Sequence, residues 1–273
     1  METEIQETPS WLDRPIISFL PRIKVETILI ALILILALLS RFYDLGARVM
    51  SHDEVNHVVP SWELYKGNGY RHDPVTHGPM QFHLVALSYF LLGDNDFSAR
   101  VPAAIFSVAA VAAVLFGFRR YLGRNGTIIA GALFLISPFM LFYGRYTRNE
   151  AFIELFGVLI LYGILRYLER GDKFSLYLIS IVTALHFATK ETAFIYTAQY
   201  LLFTGVLFLE GVARIRWEDT RARNRFLTFM VIALTLFLGA LGLAAWNASL
   251  ANTAEEGEAA AQAAGGLGAV GLT

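Results

Sequence analysis

The 273-residue chain contains no cysteine, which removes disulfide frameworks, thiolate metal sites and cysteine nucleophiles from consideration. Charge is scarce as well. Only 16% of residues are Asp, Glu, Lys or Arg, where soluble domains average about 25%. The two signs nearly cancel, to a formal net charge of −1, so the chain lacks the basic surface that a nucleic-acid partner demands. It carries no HExxH-type metal motif and no internal repeat of fixed period. What it has in abundance is apolar character: 56% hydrophobic residues, with 21 Phe and 12 Tyr, and a mean hydropathy of +0.52. That composition suits helices in lipid, with aromatic rings at the interface.

The first apolar run, Val25 to Leu39, follows Arg22 and Lys24 and leads into Arg41-Phe42-Tyr43 rather than small residues. It reads as a retained signal-anchor helix, not a cleaved leader. A spanning helix needs about 20 largely apolar residues, and backbone groups in lipid must be satisfied internally. Runs near 25–42, 99–118, 126–143, 149–168, 174–189, 191–211 and 226–246 fit. The run 79–92 is too short to span and is expected to lie along the membrane surface. The fold class predicted is therefore an all-α polytopic transmembrane bundle of about seven spans, with short juxtamembrane helices in its first outer loop.

With a cytoplasmic amino terminus, fourteen of the 22 Lys and Arg residues fall on inside segments, including the Arg214–Arg225 cluster. This obeys the positive-inside rule. Residues 1–24 then form a cytoplasmic tail, 25–246 the transmembrane domain and 43–98 its first extracytoplasmic loop. The Ala/Gly-rich tail 247–273 lacks any hydrophobic pattern and is expected to be disordered. The expected location is the cell membrane, with the polar residues of loop 43–98, turn 144–150 and the turn at Lys190 all opening on the extracytoplasmic face.

Three polar clusters thereby converge from distant sequence positions. The first, in loop 43–98, holds His52, His57, His72, His77 and His83 with the adjacent carboxylates Asp53 and Glu54. A connector this long is functional or disordered, and Trp62, Leu64, Tyr65 and Tyr70 argue against disorder; a solvated linker is the plain alternative. The i, i+5 spacing of the histidines does not align two imidazoles on a helix face, so no metal site is expected. A divalent metal is possible but not required, and no other cofactor is expected. The second cluster is Arg145 to Glu150, where Glu150 could simply favour a helix start. The third is Thr189-Lys190-Glu191, where the pair could simply close a turn, although ionisable groups at membrane depth mark functional sites by default.

Carboxylates and cations at one membrane face suit sugar transfer from a lipid-linked phosphate. A carboxylate takes the proton of an acceptor hydroxyl, and cations stabilise the phosphate as it leaves. The ordered set Asp53-Glu54, His77-Gly78-Pro79-Met80, Ala99-Arg100-Val101-Pro102, Arg145 to Glu150 and Lys190-Glu191 resembles that of the GT-C membrane glycosyltransferases. The nearest branch is the protein-mannosyltransferase and aminoarabinose-transferase group, with its flippase-associated archaeal and bacterial relatives. The resemblance covers about residues 25–246, apparently the amino-terminal half of such proteins.

The resemblance implies that Asp53 is the general base, that Glu54 and Glu150 orient acceptor or sugar, and that His77, Arg148 and Lys190 face the donor phosphate. His52, Arg71, Arg145, Asn149 and Glu191 complete the candidate set. The implied partners are a polyprenyl-phosphate sugar donor, a protein, lipid or glycan acceptor, and membrane lipids. The implied reaction is an inverting displacement. Three departures stand out: Gly78-Pro79-Met80 replaces a Pro-Pro-Leu-like turn, the second acidic residue, Glu150, follows Arg148-Asn149 rather than the commoner pattern, and family members are about twice as long. The alternative is a non-enzymatic partner in lipid-linked sugar flipping, or a shortened, inactive transferase-like chain. A transporter would carry charges near mid-membrane and broken helices in related halves, whereas most candidates here lie at helix ends and no repeat is visible.

Overall fold

The structure, a computed structural model, describes residues 24–71 and 77–269. The expected cytoplasmic tail, His72 and Pro74 lie outside the described residues. Within them the chain is all helix: α1 (Val25–Phe42), α2 (His52–Tyr65), α3 (Pro79–Leu92), α4 (Asp96–Gly117), α5 (Arg119–Ile136), α6 (Pro138–Tyr143), α7 (Glu150–Arg170), α8 (Lys173–Phe187), α9 (Thr192–Arg214) and α10 (Thr220–Ala269). Five of these are long and apolar enough to cross a membrane: α1, α4, α7, α9 and the Thr220–Leu243 stretch of α10. The molecule is an all-α helical membrane bundle.

Two of the seven expected spans fall short of that standard. The run 126–143 is interrupted at Ser137, whose φ and ψ of −55° and 120° break the helix ahead of Pro138. Proline has no N–H to donate and disfavours helical geometry in the residue before it. The run 174–189 becomes α8, only 15 residues long. It starts at Asp172, whose carboxylate accepts from the Ser175 amide at 2.9 Å. As expected, segment 79–92 is a short 14-residue helix, α3.

The chain divides after Thr204 into two compact units. In the first, α4 is the central helix, with 61% of its apolar window buried against 22% for α1. Its small residues Ala99, Ala103, Ala104, Ser107 and Ala110 are all buried, and such residues let helices approach closely in lipid. Ile33 and Ala37 of α1, Val111 and Leu115 of α4 and Leu135 of α5 form one core cluster. Phe152, Phe156, Ile160 and Ile164 of α7 pack with Val182 of α8 in another.

The break at Pro138 leaves carbonyls at the end of α5 without helical partners. Arg41, fully buried at the end of α1, supplies them. Its Nη1 donates to the Leu135 carbonyl at 3.0 Å and its Nη2 to that of Phe134 at 3.1 Å. At the far end of α1, the carboxylate of Glu26 accepts from Arg119 and Arg124, each at 2.9 Å. The first helix is thus locked to α5 at both ends.

The second unit holds the end of α9 and all of α10. Phe226 packs its ring against Trp217 and Phe208. Helix α10 runs on through 247–269. Its Ala, Glu and Gln residues have high helix propensity, which outweighs the missing amphipathic pattern.

Candidate functional site

Helix α2 begins at a capping box. Ser51 Oγ accepts from the Glu54 amide at 3.4 Å, and Glu54 Oε2 accepts from the Ser51 amide at 3.1 Å. Glu54 does far more than cap. Its fully buried carboxylate also accepts from Arg100 Nε at 2.7 Å, Arg100 Nη2 at 3.0 Å, Arg48 Nη2 at 3.0 Å and the Thr147 amide at 3.2 Å. Arg100 spends Nη1 on the carbonyls of Leu45 and Arg48. Burial pushes the Glu54 carboxyl up, but the Arg100 hydrogen bonds and the Ser51 and Thr147 amides outweigh it, and the net direction is below the ordinary carboxylate range.

Glu54 therefore has no free lone pair for an acceptor or sugar, the role the sequence led us to expect. It is a keystone joining α2, α4 and the turn 144–149. Arg100, which sequence reasoning treated only as part of a motif, is its main partner. The signal was available: an ionisable residue inside an apolar helix.

The keystone presents Asp53, next in sequence and half-exposed, to the same turn. Arg148 Nη1 lies 3.0 Å from Asp53 Oδ2, and Arg148 Nε lies 3.6 Å from Glu150 Oε2. Lys190 Nζ donates to Glu150 Oε1 at 2.8 Å. Asp53, Arg148, Glu150 and Lys190 form one line of alternating charge drawn from all three sequence clusters.

His77 lies beside this line, its Nδ1 against the Glu191 carboxylate next to Lys190. Its φ of 71° is in the left-handed region, a strained setting that clusters at functional sites. The next residues are strapped to the α8–α9 turn: the Gly78 amide donates to the Thr189 carbonyl at 3.1 Å, and that of Met80 to the Ala188 carbonyl at 3.0 Å. A Cβ at Gly78 would stand 2.2 Å from the Ala188 carbonyl oxygen. This close approach is what requires glycine in the turn that departs from the family pattern.

The other candidates divide. Arg145 caps the end of α1, donating to the carbonyls of Ser40 at 2.8 Å and Tyr43 at 2.7 Å. Asn149 is buried, and neither side-chain polar atom has a partner among the described residues. His52 and Arg71 are exposed, Arg71 at the edge of the segment 72–76.

His57, one turn beyond Asp53 on α2, belongs to the first polar cluster but was given no role from sequence. It is buried, its Nδ1 is unpartnered among the described residues, and its electrostatic neighbours include Arg148, His77, Glu150 and Lys190. Burial, then the Arg148 charge, pulls its pKa down to about 4, so it is neutral near pH 7. Gln81 of α3 is also buried with both amide atoms unpartnered. Orphaned polar atoms are rare in folded proteins; His57 has the charged line among its electrostatic neighbours, and Asn149 sits between Arg148 and Glu150 in sequence. They suit a polar ligand or ordered water. Among the described residues, no three His, Asp or Glu side chains gather in a way that could hold a metal ion.

From Glu150 and Lys190 a groove of about 450 Å³ runs along α7, walled mostly by apolar side chains, among them Phe134, Phe139, Met140, Ile153 and Leu161. The site thus has a charged head and an apolar trough.

The charged head and the trough both lie within a helical membrane bundle. The family model for dolichyl-phosphate-mannose-protein mannosyltransferases matches residues 76–242, more than half of the chain, and the chain belongs to that family. A protein of Aquifex aeolicus described as uncharacterized is 26% identical over 212 residues, covering 75% of this chain and 42% of that protein. A polyprenol-phosphate-mannose–protein mannosyltransferase of Mycobacterium tuberculosis is 28% identical over 141 residues, covering 48% of this chain and 27% of that protein. The chain therefore spans less than half the length of these relatives.

Proposed function

We propose that this chain carries the donor site and base of a glycosyltransferase that moves mannose, or a closely related sugar, from a polyprenyl phosphate to an acceptor hydroxyl on the extracytoplasmic face. The family and the named relative support the donor class, and a protein acceptor is the reading their names favour. The observation that carries the proposal is the apolar groove ending on Lys190 and Glu150 beside the Asp53–Arg148 pair.

In this reading the polyprenyl chain lies in the groove and its phosphate meets Lys190 and Arg148. The Asp53–Arg148 pair is half-exposed, and such pairs are worth about 0–1 kcal/mol. A donor phosphate therefore competes readily for Arg148 and frees the Asp53 carboxylate. Asp53 then takes the proton of the acceptor hydroxyl as its oxygen attacks the anomeric carbon. The carbon–oxygen bond to phosphate breaks on the opposite face, with inversion. Polyprenyl phosphate departs with the electron pair, its charge stabilised by the two cations. Glu150 spaces those cations, and Glu54 acts through position alone.

The test is transfer of labelled sugar from polyprenyl-phosphate mannose by membranes containing the full chain or Asp53→Asn at matched abundance. General-base loss predicts a fall of roughly 100-fold or more in kcat with little change in donor KM. Equal transfer by both would sink the proposal, and with it the choice of Asp53 over a scaffold role.

A further inference from the structure

We propose that the basic cavity at the opposite end of the first unit is a binding site for the phosphate headgroup of an anionic glycerophospholipid. Arg119, Arg120 and Arg124 from the start of α5, with Arg166 and Arg170 from the end of α7, line a cavity of about 530 Å³ beside Tyr121 and Tyr162. Helix α7 separates it from Glu150: the 21-residue helix carries that residue at its first turn and Arg170 at its last, a rise of roughly 30 Å. The cavity is a second site, not an extension of the first.

Positive-inside bias explains why arginines collect at one membrane face. It does not explain why two groups more than forty residues apart converge on one concavity floored by tyrosines. Among the described residues, Glu26 pairs with Arg119 and Arg124, Glu169 with Arg120, and Asp172 with Arg166, so three carboxylates stand among five guanidinium groups. The side chains of Arg119 and Arg120 remain more than half exposed, so their remaining N–H donors are open to a ligand. Guanidinium groups are the preferred partners of phosphate oxygens because the planar fork binds two at once.

The cavity lies where the apolar helices end, at headgroup depth. Basic pockets between helices at that depth hold anionic lipid headgroups. A soluble phosphate offers the same oxygens without the acyl chains that the exposed neighbours Phe116 and Leu122 would meet.

The experiment uses the full chain in nanodiscs of phosphatidylcholine with phosphatidylglycerol, followed by extraction and native mass spectrometry of retained lipid. Wild-type protein should retain phosphatidylglycerol over phosphatidylcholine. The Arg120→Gln/Arg170→Gln variant should lose roughly tenfold or more of that preference, since each arginine near a lipid surface contributes on the order of a fivefold effect. Arg221→Gln/Arg223→Gln, which removes two exposed arginines of the second unit, should retain it. Equal loss in both variants would reduce the effect to general surface charge and overturn the proposal, as would no loss in either. Displacement of the retained lipid by millimolar inorganic phosphate would overturn the lipid as the source of the phosphate.

Discussion

Glu54→Gln is the sharpest test of how the site is held. The substitution keeps the shape of the side chain and removes its charge, leaving Arg100, itself 1% exposed, with two carbonyl partners and no counter-ion. Breaking a buried pair from one side costs about 3–5 kcal/mol, a large share of the roughly 5–15 kcal/mol that holds a typical fold together. For a chain of this size each kcal/mol shifts the melting midpoint by roughly 2–4 °C, so the variant should melt roughly 6–20 °C lower. The assay is intrinsic tryptophan fluorescence of the full chain in detergent during heating. Glu54→Leu combined with Arg100→Met should recover part of the loss, because it is the uncompensated charge that is expensive. The pH dependence has a fixed sign. The folded carboxyl lies below the ordinary glutamate value, so its contribution is complete above that value and is lost as pH falls through the lowered folded one. A Glu54→Gln protein that melts within about 2 °C of wild type yet fails in sugar transfer would refute the keystone role and make Glu54 a substrate contact.

His57 supplies a second acid-sensitive term at higher pH. Its folded pKa near 4 against an ordinary 6.5 means the unfolded chain binds the proton first, so stability falls as pH drops from about 6.5 towards 4; His57→Phe should flatten that part of the melting-versus-pH curve. Gly78→Ala drives a methyl into the Ala188 carbonyl. It should displace the His77 strap and reduce transfer by roughly 100-fold for a stability loss of only about 1–3 kcal/mol, read by kinetics and melting side by side. Lys190→Ala leaves Glu150 with Arg148 at 3.6 Å as its remaining cation and should raise donor KM roughly 10-fold to 100-fold, a charge-assisted hydrogen bond being worth about 1.5–3 kcal/mol. An unchanged KM would remove Lys190 from the phosphate.

Much of this was legible in the sequence, for identifiable reasons. Long apolar runs have one solution in lipid, so α1, α4, α7, α9 and the start of α10 could be placed within a few residues. The convergence of Asp53, Arg148, Glu150 and Lys190 followed from counting faces along the chain. Partners were not legible. Glu54 and Arg145 have the residue types of a catalytic site, but the fold spends them on Arg100 and on the carbonyls of α1. Arg41 reads only as the end of the first apolar run, because nothing local says that Pro138, ninety-seven residues away, leaves carbonyls for it to satisfy.

The central claim is that three separated segments build one site on one face of the membrane. The most direct measurement places single cysteines in this cysteine-free chain at Asn68, after α2, at Glu191 in the α8–α9 turn, and at Lys173, where α8 starts at the other end of the bundle. All three positions are exposed. An impermeant thiol reagent applied to intact cells should label positions 68 and 191 and spare 173. Labelling at 68 with protection at 191 would set Asp53 and Lys190 on opposite sides of the membrane, and the site could not exist.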